Sequence, residues 1–312
     1  MKIVVTGALG HIGSALIRQL PLHFPDAEIV MIDNMMTQRY ASLFDLPAVG
    51  RYQFIEADVR DVDLSPLLEG AHAVIHLAAI TDAAGSFERA AELEANNFDA
   101  TERIAAACCG ARARLIHVSS TSIYGTQNTL VSEGCAVEEL KPQSPYATTK
   151  LKEEILVQSL AKSHGLRAIV FRFGTIFGAS PGMRYHTAVN RFCWQAVMQQ
   201  PLSIWNSAYD QKRPYLDLFD AIRAIAFVVK KDLFDGRVYN VLTLNTTVRD
   251  IVECIREFVP HVQLSFVNSP IMNQLSYEVS CQRFRDYGFS FAGDIRRGIG
   301  ETVALLANAS RA

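Results

Sequence analysis

Tyr146 and Lys150 stand at the two ends of Tyr146-Ala147-Thr148-Thr149-Lys150, directly after Ser144-Pro145, a pair suited to opening a helix. At that spacing a phenol and an ammonium share one helix face. Tyrosine ordinarily titrates near ~10, and a neighbouring cation favours phenolate, so Lys150 would turn Tyr146 towards a general base. The chemistry this pair fits is alcohol oxidation: a base takes the hydroxyl proton while a hydride passes to a nicotinamide, whose own positive charge pulls the phenol the same way. Such a step also needs a donor that fixes the oxygen. Ser120, within Ser119-Ser120-Thr121-Ser122-Ile123-Tyr124-Gly125, is the candidate. Taken alone, the tyrosine–lysine pair fits a solvated helix surface equally well, so its meaning depends on the elements around it.

Those elements follow a regular plan. Short apolar runs at Ile3 to Thr6, Ile29 to Asp33, Gln53 to Asp58, Ala73 to Ala78, Leu115 to Ser119 and Ala168 to Phe173 alternate with amphipathic stretches such as Ile12 to Leu20, Ala90 to Cys109 and Tyr146 to His164. This predicts an α/β fold: a Rossmann-type, doubly wound parallel sheet with helices on both faces. Residues 1–174 would form the NAD-binding domain, with a returning segment near 210–242 that includes the strand-like run Arg237 to Leu242. Residues 175–312, rich in aromatics at their start, would form mainly a smaller C-terminal substrate-binding lobe.

The first run ends in Thr6-Gly7-Ala8-Leu9-Gly10-His11-Ile12-Gly13 and opens an apolar helix, where a tight glycine turn lets backbone N–H groups approach a pyrophosphate. Some twenty residues on, the second run ends in Asp33, whose carboxylate suits an adenosine ribose and repels a 2′-phosphate. No arginine stands beside it in the sequence, which favours NAD over NADP. Asn34 and the pair Asp58-Val59 would flank the adenosine, and Gly7, Gly10, His11, Ile12 and Gly13 would line the phosphates. The His11 and His117 side chains themselves read better as packing groups.

The Gly7, Gly10, Gly13 spacing resembles the glycine motif of extended short-chain dehydrogenase/reductases, in particular nucleotide-sugar epimerases and dehydratases like UDP-glucose 4-epimerase. His76-Leu77-Ala78-Ala79 resembles their fourth-strand motif, Asn97 the asparagine of the following helix, and the Ser120 segment their serine-rich fifth strand. The resemblance implies catalytic Ser120, Tyr146 and Lys150, and a cofactor shell that adds Leu77, Ala78, Ala79 and Asn97. In Arg172-Phe173-Gly174-Thr175-Ile176-Phe177-Gly178, Thr175 replaces an asparagine common in these epimerases and supplies a single hydroxyl donor. Gln211-Lys212-Arg213-Pro214-Tyr215 resembles their arginine segment, which makes Arg213 the expected diphosphate ligand. Thr121 and Asn190 are further substrate candidates, with Trp205 and Tyr277 behind them. The segment Pro270 to Tyr277 lacks the arginine that many relatives carry there.

Related 4,6-dehydratases use a Thr-Asp-Glu triplet whose carboxyl groups move protons, and Ser120-Thr121-Ser122 carries no carboxylate. The expected activity is therefore an NAD-dependent nucleotide-sugar epimerase acting at C4 through a transient 4-keto intermediate. A 4-keto-sugar reductase or dehydrogenase is the alternative, and an NAD-binding regulatory protein the non-enzymatic one. The resemblance also suggests a homodimer through Ala90 to Cys109 and Tyr146 to His164.

Composition closes off other classes. A chain of 312 residues holds a large core without staples, and a net charge of -2 makes a phosphate-tracking nucleic-acid surface a poor fit. Met1-Lys2-Ile3-Val4-Val5 enters a strand at once, without a signal-peptide pattern, and no apolar run reaches membrane-spanning length. The six cysteines show no C-x-x-C spacing, so reduced thiols in a cytoplasmic protein, with no metal site, are expected.

Overall fold

The computed structural model describes residues 1–82, 85–125, 130–268 and 277–309. Seven parallel strands form its main sheet: β1 (Lys2–Thr6), β2 (Glu28–Asp33), β3 (Arg51–Glu56), β4 (Ala71–His76), β5 (Arg114–Ser120), β6 (Ala168–Phe173) and β7 (Val238–Val241). Their spatial order is β7-β6-β5-β4-β1-β2-β3, so the direction of winding reverses between β1 and β4. Strands β3 and β4 stop two residues short of the apolar runs read from sequence, which leaves Asp58 and Ala78 in the loops beyond the strand ends.

Alternation along the strands explains why both faces are covered. Ile3 and Val5 point into a core shared with Leu16, Ile17 and Leu20 of helix α1 (His11–His23), whereas Val4, Val30 and Val74 point into a second core with Ile104, Ala105 and Cys108 of α2 (Ala90–Ala111). Each of the valine, leucine and isoleucine side chains among them contributes roughly 1.5–3 kcal/mol on full burial. Helix α3 (Pro145–His164) packs along α2 on that second face. Its start is fixed locally: Pro145 occupies the first turn and the Ser144 hydroxyl accepts from Ala147 N–H at 3.1 Å.

The second lobe is interleaved with the sheet. Helices α4 (Ala188–Val197) and Val248–Phe258 share a third core with Phe177, Tyr215 and Ile299. The segment 210–242 divides: Lys212–Asp217 joins a small sheet with Thr175–Phe177 and Leu244–Thr247, α5 (Leu218–Lys231) packs back on α1, and only β7 rejoins the main sheet. Farther on, Phe284 and Phe289 return to the first core beside Phe171. No helix among the described residues is long and apolar enough to cross a membrane.

Candidate active site

A cavity of about 540 Å³ opens at the carboxyl ends of β1, β2, β4 and β5, across the switch point where such sheets bind ligands. One end is the glycine turn. Gly7 adopts φ +63, and a Cβ there would lie 2.6 Å from Ala78 N, so the turn and the Leu77-Ala78-Ala79 strap touch only because Gly7 has no side chain. Gly10 precedes α1 without a side-chain cap, and no acidic residue stands in the helix's first turn. The backbone N–H groups of His11, Ile12 and Gly13 thus face the cavity at the positive end of a helix, a cradle that fits a pyrophosphate. Asp33 closes the adenosine side, its two carboxylate oxygens accepting from Leu9 N–H and Met35 N–H at 3.0 Å. Beside it Asn34 donates to Asp58 at 2.9 Å, Arg60 pairs with the same carboxylate and holds it well below the usual range, and Val59 completes the wall. A glycine turn at a helix N-terminus beside a strand-end carboxylate is a donor and acceptor set that fits NAD.

Two expectations change at this end. Although no arginine adjoins Asp33 in sequence, Arg39 lies in the cavity close enough to feel its charge, with its guanidinium also near Gly10. Burial lowers Arg39 to about 10, with Arg184 acting the same way and Asp33 opposing. Asn97 is buried and does not reach the cavity. Its amide binds both backbone groups of Ile80, at 2.8 and 2.9 Å, and so pins the 77–80 strap from behind. The His11 ring hydrogen-bonds Gly178 O at 2.8 Å, and burial lowers it to about 4, so this side chain is a neutral clasp to the second lobe. Ser14 and Ser180 tighten the clasp, through Gly182 N–H at 2.9 Å and His11 O at 2.8 Å.

At the centre, Ser120, Tyr146 and Lys150 converge. The Tyr146 phenol lies close enough to the Ser120 hydroxyl for it to favour the phenolate form. Burial raises the phenol above its ordinary value, Lys150 pulls it back, and Glu153 adds to the rise. The lysine charge therefore acts in the expected direction, yet in the protein alone desolvation outweighs it. Lys150 is itself buried, which disfavours its charge, but Glu153 and Tyr146 outweigh burial and hold it protonated above the usual range. Lys150 Nζ donates to Glu153 Oε2 at 2.8 Å. Ser120 Oγ also accepts from Ser122 N–H at 3.1 Å and the Ser122 hydroxyl at 2.9 Å, which orients it at the end of β5.

The other end belongs to the second lobe. Thr121, Thr175, Arg213, Trp205 and Tyr277 line the cavity. The Thr121 hydroxyl is already committed to Phe173 O at 3.3 Å. Arg213 donates to Gln211 at 2.7 Å and stacks over Tyr277, with 5.2 Å from guanidinium to ring centroid. Asp210 and Asp217 have other partners, Arg249 and Arg297. Asn190 does not line the cavity: it is fully buried on α4, and its amide oxygen accepts from Gly178 N–H at 3.2 Å. Pro270 to Ser276, the segment without arginine, lies outside the described residues. Sequence reasoning missed Arg184 and His186, which line the cavity's centre: Arg184 is close enough to act on the Tyr146 charge, and burial lowers His186 to about 4. The only signal was a basic residue in the loop just after Gly182.

Comparison with known proteins agrees with this architecture. The profile of the NAD dependent epimerase/dehydratase family matches residues 3–241. The chain belongs to that family, as an NAD-dependent enzyme of the extended short-chain dehydrogenase/reductase type. A Bacillus subtilis protein named an uncharacterised UDP-glucose epimerase is 32% identical over 248 residues, 77% of this chain and 76% of its own length. The Arabidopsis thaliana trifunctional UDP-glucose 4,6-dehydratase, 3,5-epimerase and reductase is 28% identical across 97% of this chain, which spans 46% of that protein. Among solved structures, the UDP-glucuronic acid 4-epimerase of Bacillus cereus with UDP-glucuronic acid and NAD superposes with a TM-score of 0.86 at 26% identity, covering 99% of this chain and 100% of the other.

Proposed function

We propose that this enzyme is a nucleotide-sugar epimerase acting at C4 of the sugar. The observation that carries the reading is one continuous cavity that sets Ser120, Tyr146 and Lys150 between the glycine turn and Arg213. Bound NAD supplies a hydride acceptor that returns what it takes. Tyr146 removes the C4 hydroxyl proton and later gives it back, Ser120 holds the oxygen, and Lys150 stabilises the phenolate. Arg213 grips the diphosphate while the 4-keto ring turns to present its other face. The Ser120-Thr121-Ser122 triplet carries no carboxylate, so water elimination lacks its acid there. The names of the relatives point to UDP-sugars as first probes, UDP-glucose and UDP-glucuronic acid foremost. Asp33 favours NAD over NADP, with Arg39 narrowing the margin, and calorimetry with both cofactors measures it. The expected homodimer across α2 and α3 belongs to the same reading: Ile155 keeps exposed apolar surface on α3.

The test is incubation of the protein with UDP-, dTDP-, GDP- and CDP-sugars without added reductant. A C4 epimer resolved by NMR, with no accumulating NADH, supports the proposal. Stoichiometric oxidation of added NADH by a 4-keto sugar, with no epimer from any sugar, transfers the assignment to a reductase.

A further inference from the structure

Behind Lys150 lies a polar cluster that the reaction as written does not use. Glu153, one turn along α3, is fully buried, and its Oε2 meets three groups: Lys150 Nζ at 2.8 Å, the Thr101 hydroxyl of α2 at 3.2 Å, and His117 Nε2 of β5 at 3.4 Å. The last approach lacks hydrogen-bond geometry. Glu153 Oε1 and both His117 ring nitrogens have no hydrogen-bond partner among the described residues. His76 of β4 stacks on His117 at 6.1 Å between ring centroids, and its nitrogens reach Thr6 at 2.7 Å and Thr101 at 3.2 Å. A buried carboxylate with an unused oxygen is costly, and a chain that only needed to fill this space would do so with an apolar side chain.

We propose that Glu153 is a positioning residue: it fixes the Lys150 ammonium and shares its charge, so that the Tyr146 phenol feels only part of the lysine. The inference rests on the reading of Tyr146 as the proton-transfer group. In a reversible reaction one phenol must accept a proton and later return it, and a phenol made too acidic by an undiluted cation returns it poorly. The groups facing this centre are Tyr146, Lys150 and Glu153 from α3, His117 from β5, His76 from β4, and Arg184 from the loop after Gly182. Burial keeps His117 and His76 neutral, with Lys150 acting in the same direction. Glu153 is thus the anion set against two cations, Lys150 and Arg184. Burial raises its own carboxyl, and Lys150 opposes that rise.

The test is an ultraviolet titration of the phenolate in the NAD-bound protein, each version read against its own Tyr146→Phe counterpart so that the difference reports Tyr146 alone. Glu153→Gln removes the charge, and the Tyr146 midpoint should fall by about one pH unit, the order of shift a neighbouring charge produces. Glu153→Asp keeps the charge and should stay near the wild-type midpoint. Glu153→Met is carried in parallel, because an amide in this pocket is liable to misfold where an apolar chain of similar length is not. An unchanged or raised midpoint in Glu153→Gln or Glu153→Met overturns the proposal. A purely structural role would lower thermal stability and leave the midpoint alone. The wild-type protein decides without any variant: with carbon-13 at the glutamate carboxyls, a Glu153 signal of neutral carboxylic acid at neutral pH also overturns it. None of these readings needs a sugar, so failure of the C4 assignment shows separately in the product assay.

Discussion

Glu153 and Glu154 are neighbours on α3, both buried against a cation, yet their surroundings are finished to different degrees. Arg172 Nε meets Glu154 Oε2 at 3.0 Å, and a second guanidinium nitrogen meets Oε1, while the third donates to the Tyr124 hydroxyl at 2.8 Å. Tyr124 passes the chain to Asn240 at 2.9 Å, and Asn240 to Ser280 O at 2.9 Å. On that side the fork of the guanidinium leaves both carboxylate oxygens occupied. Glu153, by contrast, has a point-charge partner in Lys150 and an oxygen left over. The completed network ties α3 to the sheet, and the incomplete one lies against the reacting groups. One helix thus carries a structural face and a chemical face a residue apart.

The largest test of that division is Arg172→Met. It strands Glu154 in the interior, which should cost about 3–5 kcal/mol, read as a lower denaturant midpoint at unchanged slope, with the folded fraction still turning over in the cold. Lost turnover at undiminished stability would erase the distinction. Next comes the opposite variant, Tyr146→Phe, expected to cut turnover at least about 100-fold while moving stability by no more than about 0.5 kcal/mol. Retained activity would place the proton transfer elsewhere.

Across the cavity, Arg213→Ala should raise the Michaelis constant for sugar nucleotide about tenfold or more, with turnover and calorimetric NAD affinity nearly intact. Unchanged Michaelis constants would remove Arg213 from the diphosphate. The smallest effect concerns acid. His76 is lowered to about 3 and His11 to about 4, both chiefly by burial, so between 6.5 and those values the unfolded chain binds more protons than the folded one. Their contribution to stability is complete above 6.5 and drains away as pH falls towards 4 and then 3. Melting curves across that window should steepen downward, and His76→Gln should flatten them. Tyr124→Phe, in the completed network, should leave the slope alone, since Arg172 still pairs with Glu154 and the lost phenol carries no charge in acid. An equal change of slope in both variants would break the contrast.

Much of this was legible because it is local. Ile3-Val4-Val5 before Gly7, Gly10 and Gly13 announces a buried parallel strand and a phosphate turn within a few residues, and Tyr146 and Lys150 share a face by helix geometry alone. Ser120 follows from the order of motifs. The roles of Asn97 and Asn190 were not legible, because an amide that grips the backbone of Ile80 or Gly178 looks, in sequence, like one that reaches a ligand. Arg39 escaped for a related reason: six residues of loop bring it back over Asp33, and loop paths have no periodicity to read. Glu153 is the sharpest case. Its neighbours come from β5 and α2, so nothing beside it in the sequence marks the counterion that packing makes of it.

The clasp between α1 and the Gly178 turn bears on inheritance and engineering. A Cβ on Gly182 would sit 2.1 Å from Leu9 O and 2.6 Å from Gly10 O, so the second lobe rests directly on the backbone of the phosphate turn. The two halves are therefore not interchangeable cassettes. A chimera that grafts a foreign sugar lobe after Thr175 would have to bring along a glycine at 182 and partners for His11 and Ser14, or the recombinant would forfeit its grip on the dinucleotide before any change in sugar preference could be seen.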